Sequence, residues 1–140
     1  MKFNWEDLTK KDYENFLKAI KEDTADDDML GSIFIGDIDC NVMYRGESVK
    51  NENEIYVDAF WLDLYVAHED TGYSYDSKIP YDYAWGTIIP VDLNMTYEEF
   101  KKKAENDLIE YFIQCDTEKT FKYSLIEHAN RPLEKWSYGL

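Results

Sequence analysis

Apolar residues recur along this chain in two rhythms, and the switch between them predicts the elements. Tyr13, Phe16, Leu17 and Ile20 fall three, four and seven positions apart, which sets them on one face of a helix. Its start is written just upstream: Thr9 is the N-cap, Asp12 answers it three residues later, and Leu8 with Tyr13 forms a hydrophobic staple. The stretch Glu22 to Asp28 then crowds like charges against the negative end of the helix dipole, so the helix should stop near Lys21 and give way to a solvated loop.

From Met29 to Arg45 the rhythm becomes alternation. Phe34, Gly36, Ile38, Cys40, Val42 and Tyr44 fall on one side, and Ile35, Asp37, Asp39, Asn41 and Met43 on the other. This predicts a half-buried strand with a break at Gly36. Gly46 to Asn53 reads as a polar turn leading into Ile55–Val66, twelve residues rich in branched and aromatic side chains with no Gly or Pro. That run predicts one long strand, or two joined at a bulge, at the centre of a sheet. Ala67 to Lys78 is a polar loop, and Tyr83 to Ile89 a further strand that Pro90 ends. Thr96 and Glu99 repeat the capping box, with Met95 and Phe100 as staple, before an apolar stripe through Tyr97, Phe100, Ala104, Leu108, Tyr111, Phe112 and Cys115. This second helix is expected to run to about Gln114. Phe121, Leu125 and His128 suggest a short third helix stopped by Pro132, with Leu133 and Trp136 tucked back onto the fold. The order predicts an α+β fold, an antiparallel sheet of about four strands with helices packed on one face, in a single domain spanning residues 1–140.

Charge changes the picture more than any motif does. The chain has 30 acidic and 15 basic residues, a formal net charge of -15. Residues 1–21 carry 5 basic and 4 acidic groups, residues 100–140 carry 7 of each, and residues 22–99 carry 3 basic and 19 acidic. Nearly all the excess therefore belongs to the segment read as sheet. Such a protein is repelled by nucleic acid and by anionic membranes, and attracts a basic partner. No run reaches the length of a membrane span and the N-terminus lacks an apolar leader, so a cytoplasmic location is expected. Cys40 and Cys115 show no zinc or disulfide spacing and read as buried reduced thiols.

Catalytic signatures are missing. His68 and His128 are the only imidazoles, there is no nucleophile elbow and no glycine-rich phosphate loop, and no cofactor or catalytic residue is assigned. Asp37 and Asp39 put two carboxylates on the same side of a strand near Asp26–Asp28, but the calcium-loop spacing fails, so no metal site is assigned either. Lys101–Lys103 fans around the second helix as a solvated flank. What stands out is a set of tyrosines interleaved with aspartates: Asp63, Tyr65, Asp70, Tyr73, Tyr75, Asp76, Tyr81, Asp82 and Tyr83. Tyrosines anchor protein interfaces and carboxylates steer a cationic partner, so these nine are the candidate partner-binding residues, whereas Trp61 and Trp85 are expected in the core.

Asp63-Leu-Tyr-Val66, Tyr73, Pro80-Tyr-Asp82, Met95-Thr-Tyr-Glu-Glu-Phe100 and Trp136, spread over about half of the chain, carry a resemblance. The sequence resembles the cytoplasmic immunity proteins encoded beside bacterial polymorphic toxins, including those of contact-dependent growth inhibition. The resemblance implies a non-enzymatic antitoxin that binds a cognate toxin domain, often a basic nuclease, and occludes its active site or substrate groove. Two other readings stay open: a DNA mimic that inhibits nucleic-acid-binding proteins, and a small metal-dependent enzyme or binder.

Overall fold

The computed structural model describes residues 1–22, 24, 28–50, 56–67, 81–92 and 94–131; within the strands and the turn between the second and third, side chains are described at 3, 4, 30–44, 62, 64, 88 and 89. The elements are β1 (Phe3–Asn4), α1 (Lys10–Lys21), β2 (Asp28–Ile35), β3 (Ile38–Lys50), β4 (Tyr56–Ala67), β5 (Tyr81–Asp92), α2 (Tyr97–Glu118) and α3 (Leu125–Ala129). The strands form one antiparallel sheet in sequence order, β1-β2-β3-β4-β5, so every neighbour in space is also a neighbour in sequence. The fold is α+β.

Both long helices begin as expected. Thr9 and Asp12 close a reciprocal capping box on α1, and Thr96 and Glu99 close the same device on α2, each satisfying backbone N–H groups that a first turn leaves unpaired. Two tyrosines then tie these starts together. The Tyr13 hydroxyl donates to the Met95 carbonyl at 2.7 Å, and the Tyr97 hydroxyl donates to the Leu8 carbonyl at 2.6 Å. α2 runs to Glu118, a turn beyond the apolar stripe, and ends on Lys119 in the left-handed conformation (φ 53°). Asp116, in its last turn, reaches forward to the start of α3, accepting from the Ser124 hydroxyl at 2.6 Å and from the N–H groups of Leu125 and Ile126. A carboxylate at a helix N-terminus offsets the positive end of the dipole, so the short α3 is held by α2 as much as by its own sequence.

The stretch Met29–Arg45 folds differently from the expectation. It is a hairpin, with β2 and β3 joined at Gly36 and Asp37, and Gly36 takes φ 59°. The turn reverses the chain, so the buried residues are Ile33 and Ile35 on β2 but Ile38, Cys40, Val42 and Tyr44 on β3. Phe34, assigned by alternation to the same side as Ile38, is instead only half-buried. β5 also continues through Pro90, which pairs with Ala59, because β5 is the last strand of the order and a missing N–H is tolerated at a sheet edge. The polar turn expected at Gly46–Asn53 begins later, since β3 extends to Lys50. Leu133, Trp136 and the stop at Pro132 lie outside the described residues.

One hydrophobic core joins the helices to a single face of the sheet. Ile33, Ile35, Ile38, Cys40, Val42, Tyr44, Leu62, Leu64 and Ile89 pack with Leu8, Tyr13 and Leu17, with the α2 stripe, and with Leu125 and Ala129. Cys40 and Cys115 are buried within it, outside any disulfide. No helix among the described residues is long and apolar enough to cross a membrane.

Candidate partner-binding sheet face

Alternation along a strand sends successive side chains to opposite faces. With the helices on the face of Ile33, Ile35, Ile38, Cys40 and Val42, the other face takes Ser32 and Phe34 from β2 and Asp39, Asn41 and Met43 from β3, all half-buried. β5 adds Ile88, which is 41% exposed beside the fully buried Ile89. Ser32 donates its hydroxyl to the Asn41 side-chain oxygen at 3.1 Å, bridging β2 and β3.

The strand register brings Tyr65 and Tyr83 into the row of Asp39, and Asp63 into the row of Asn41, whereas Asp82 falls in the row of Ile35, Ile38 and Val66. Tyr65 of β4 pairs with Asp39 on one side and with Tyr83 of β5 on the other, so one row runs Asn4, Phe34, Asp39, Tyr65, Tyr83 across the sheet. Asn41 pairs with Ser32 and Asp63, Val66 with Asp82, and Ala67 with Tyr81. Between Leu62 and Leu64 the register of β4 against β5 shifts: Leu62 pairs with Thr87 and Leu64 with Ala84, so the single residue Asp63 faces the pair Trp85 and Gly86. That is a β-bulge, a device that raises local twist and often re-aims side chains near binding sites. Five of the nine candidates, Asp63, Tyr65, Tyr81, Asp82 and Tyr83, are thus gathered on two adjacent strands, where β4 ends and β5 begins. Asp70, Tyr73, Tyr75 and Asp76 lie outside the described residues, as does His68.

No family model, curated protein or solved structure matches the chain. The chemistry of the site therefore rests on its own residues.

Asp39 is the residue whose importance the spacing did not reveal. One of its carboxylate oxygens, Oδ1, is shut off from solvent and has no hydrogen-bond partner. Burial, and then the charge of Asp7, push its carboxyl up from the ordinary 3.8 to about 6. The unfolded chain gives up this proton near pH 3.8 and the folded protein only near pH 6, so folding loses stability as pH rises through that window and gains none back above it. Asp39→Asn removes the charge at constant shape. It should raise the unfolding free energy at pH 7.5 by about 1–3 kcal/mol, with the gain shrinking towards zero below pH 4, as read by denaturant titration at several pH values.

The Asp37–Asp39 pair read as two carboxylates on one side of a strand does not exist as such. Asp37 sits in the β2–β3 turn, 0% exposed, and its Oδ1 accepts from His128 Nδ1 at 2.9 Å, while its N–H donates to the His128 carbonyl at 3.0 Å. Arg131 lies 4.0 Å from the other oxygen and donates to Glu127 at 2.8 Å. The pair docks α3 onto the hairpin. Among the described residues, no group of three or more His, Cys, Asp or Glu is placed to hold a metal ion.

Proposed function

We propose that this chain is an immunity protein: a non-enzymatic, cytoplasmic inhibitor that binds a cationic bacterial toxin domain through the sheet face opposite α1 and α2 and the β4–β5 end of the sheet. The observation that carries the reading is the division of charge. The segment 22–99, with 19 acidic and 3 basic residues, contains β2 to β5, whereas the segments containing α1 and most of α2 and α3 are close to neutral. The strands carry Asp28, Asp39, Glu47, Asp58, Asp63, Asp82 and Asp92 against Arg45 and Lys50, and α2 is acidic as well, so a basic protein is drawn to the molecule and the aromatic residues of the sheet select the face it meets. The mixed character of that face, with Phe34, Met43 and the exposed Ile88 beside Asp39 and Asn41, suits a protein partner better than a small ion.

Capture is the test. The purified chain should form a 1:1 complex with the basic C-terminal domain of the secreted protein encoded immediately upstream. Its association rate should fall at least tenfold between 50 and 500 mM salt, because screening shortens the reach of the charge to about 8 Å at physiological ionic strength and less beyond it. A rate that does not change with salt, or equal binding to several unrelated DNA-binding proteins as a DNA mimic would show, contradicts the reading.

A further inference from the structure

The two tyrosine hydroxyls that tie the start of α1 to the start of α2 stand beside an open groove of about 500 Å³. That is the size of a pocket for a small organic ligand. Its floor is apolar, made by Tyr13, Leu17, Met95 and Tyr97, and its rim carries the exposed Lys10, Lys18 and Lys21 from one face of α1. Lys10 and Lys21 are separated by about 16–17 Å along the helix axis.

The sign of the rim is opposite to that of the molecule. The chain has a net charge of -15, yet at or beside the groove four lysines, these three and Lys101, meet three carboxylates, Glu14, Glu22 and Glu98. Lys101 holds Glu98 at 3.4 Å with its ammonium 4.8 Å from the centre of the Tyr97 ring, whereas Lys18 meets Glu22 only at 4.0 Å. Among the described residues, Lys10 and Lys21 enter no ion pair. Lys18 and Lys21 lie in the last turn of α1, where the helix dipole favours a cation, so their presence has a local reason. Lys10 has none, because it opens the first turn, where the dipole disfavours it.

We propose that this groove binds a small amphipathic anion, a carboxylate on an aliphatic chain, with the chain laid on the apolar floor and the carboxylate held at the lysine rim. Burial of the chain supplies the affinity, and the sign of the rim selects the anion. The lysine stems add apolar cover while their ammonium groups stay in water. The groove belongs to the helical layer, away from the sheet face assigned to the toxin, and its ligand does not depend on that partner.

Decanoate and decyltrimethylammonium, each below its micelle concentration, are the probes, titrated into the isotope-labelled full chain and followed by amide shifts. The net charge of the molecule favours the cation, and the groove favours the anion. Decanoate should shift the amides of Tyr13, Leu17, Met95 and Tyr97 saturably with a Kd of about 0.1–1 mM, and decyltrimethylammonium should leave them in place. Lys10→Gln combined with Lys21→Gln should weaken decanoate about tenfold, and Lys102→Gln, exposed on α2 outside the groove, less than about twofold. The substituted lysines are exposed, so every variant should keep the spectrum of a folded chain. Movement of the same four amides by the cation, equal weakening in the double variant and in Lys102→Gln, or the absence of saturable decanoate binding overturns the site.

Discussion

Phe100→Ala is expected to lower stability by about 3–5 kcal/mol, enough to bring a domain of ordinary stability close to unfolding at 37 °C. Phe100 is fully buried at the first turn of α2, stacks on Tyr13 with ring centroids 4.9 Å apart, and meets the edge of Trp5 at 6.0 Å. Its ring fills the junction where α1, α2 and the segment after β1 converge. Tyr13 and Tyr97 are pinned there by hydrogen bonds to Met95 and Leu8, so the surrounding groups cannot easily collapse into the space. A cavity that does not close adds its own cost to the lost transfer free energy. The denaturation midpoint should fall with little change in slope, and a loss below about 1 kcal/mol would mean that this junction is looser than its geometry.

The contact between the β2–β3 turn and α3 should be nearly as sensitive, and in a way that exposes its cooperativity. Gly36→Ala puts a methyl group where the backbone of His128 and Ala129 already stands, at a residue whose φ of 59° disfavours any side chain. Asp37→Ala leaves His128, 3% exposed, without the carboxylate that accepts its Nδ1 hydrogen. Each substitution should cost about 2–4 kcal/mol and raise amide exchange in α3. Because both release the same element, the double substitution should cost clearly less than the sum of the two. Additive losses would mean that the turn and the side-chain pair act independently.

The elements that could be read from the sequence were those whose signals are local. Thr9 with Asp12 and Thr96 with Glu99 announce helix starts within four residues, and both starts fall where that pattern puts them. The run after Ile55 declares a strand through its own composition, and it is β4, flanked by β3 and β5. The hairpin at Gly36 was harder, because alternation continues smoothly through it and a glycine within a strand pattern also marks a simple break. α2 runs past its apolar stripe to Glu118, and Asp116 in its last turn holds the start of α3 across a loop, a contact that neither segment announces by itself.

At the candidate site the limit was different. Composition located the acidic and aromatic segment, and the register joins Asp63, Tyr65, Tyr81, Asp82 and Tyr83 on neighbouring strands. Asp39 lies more than twenty residues upstream in sequence and enters the same row only through the pairing of β3 with β4. The Asp37–His128 contact joins positions 91 residues apart, and nothing in either neighbourhood announces the other.

Amide hydrogen exchange on a complex with the proposed basic partner domain tests the central claim most directly. New protection is expected in β3, β4 and β5, with α1 and the exposed side of α2 exchanging as they do in the free chain. Protection concentrated on the helices, with the sheet strands unchanged, would contradict it.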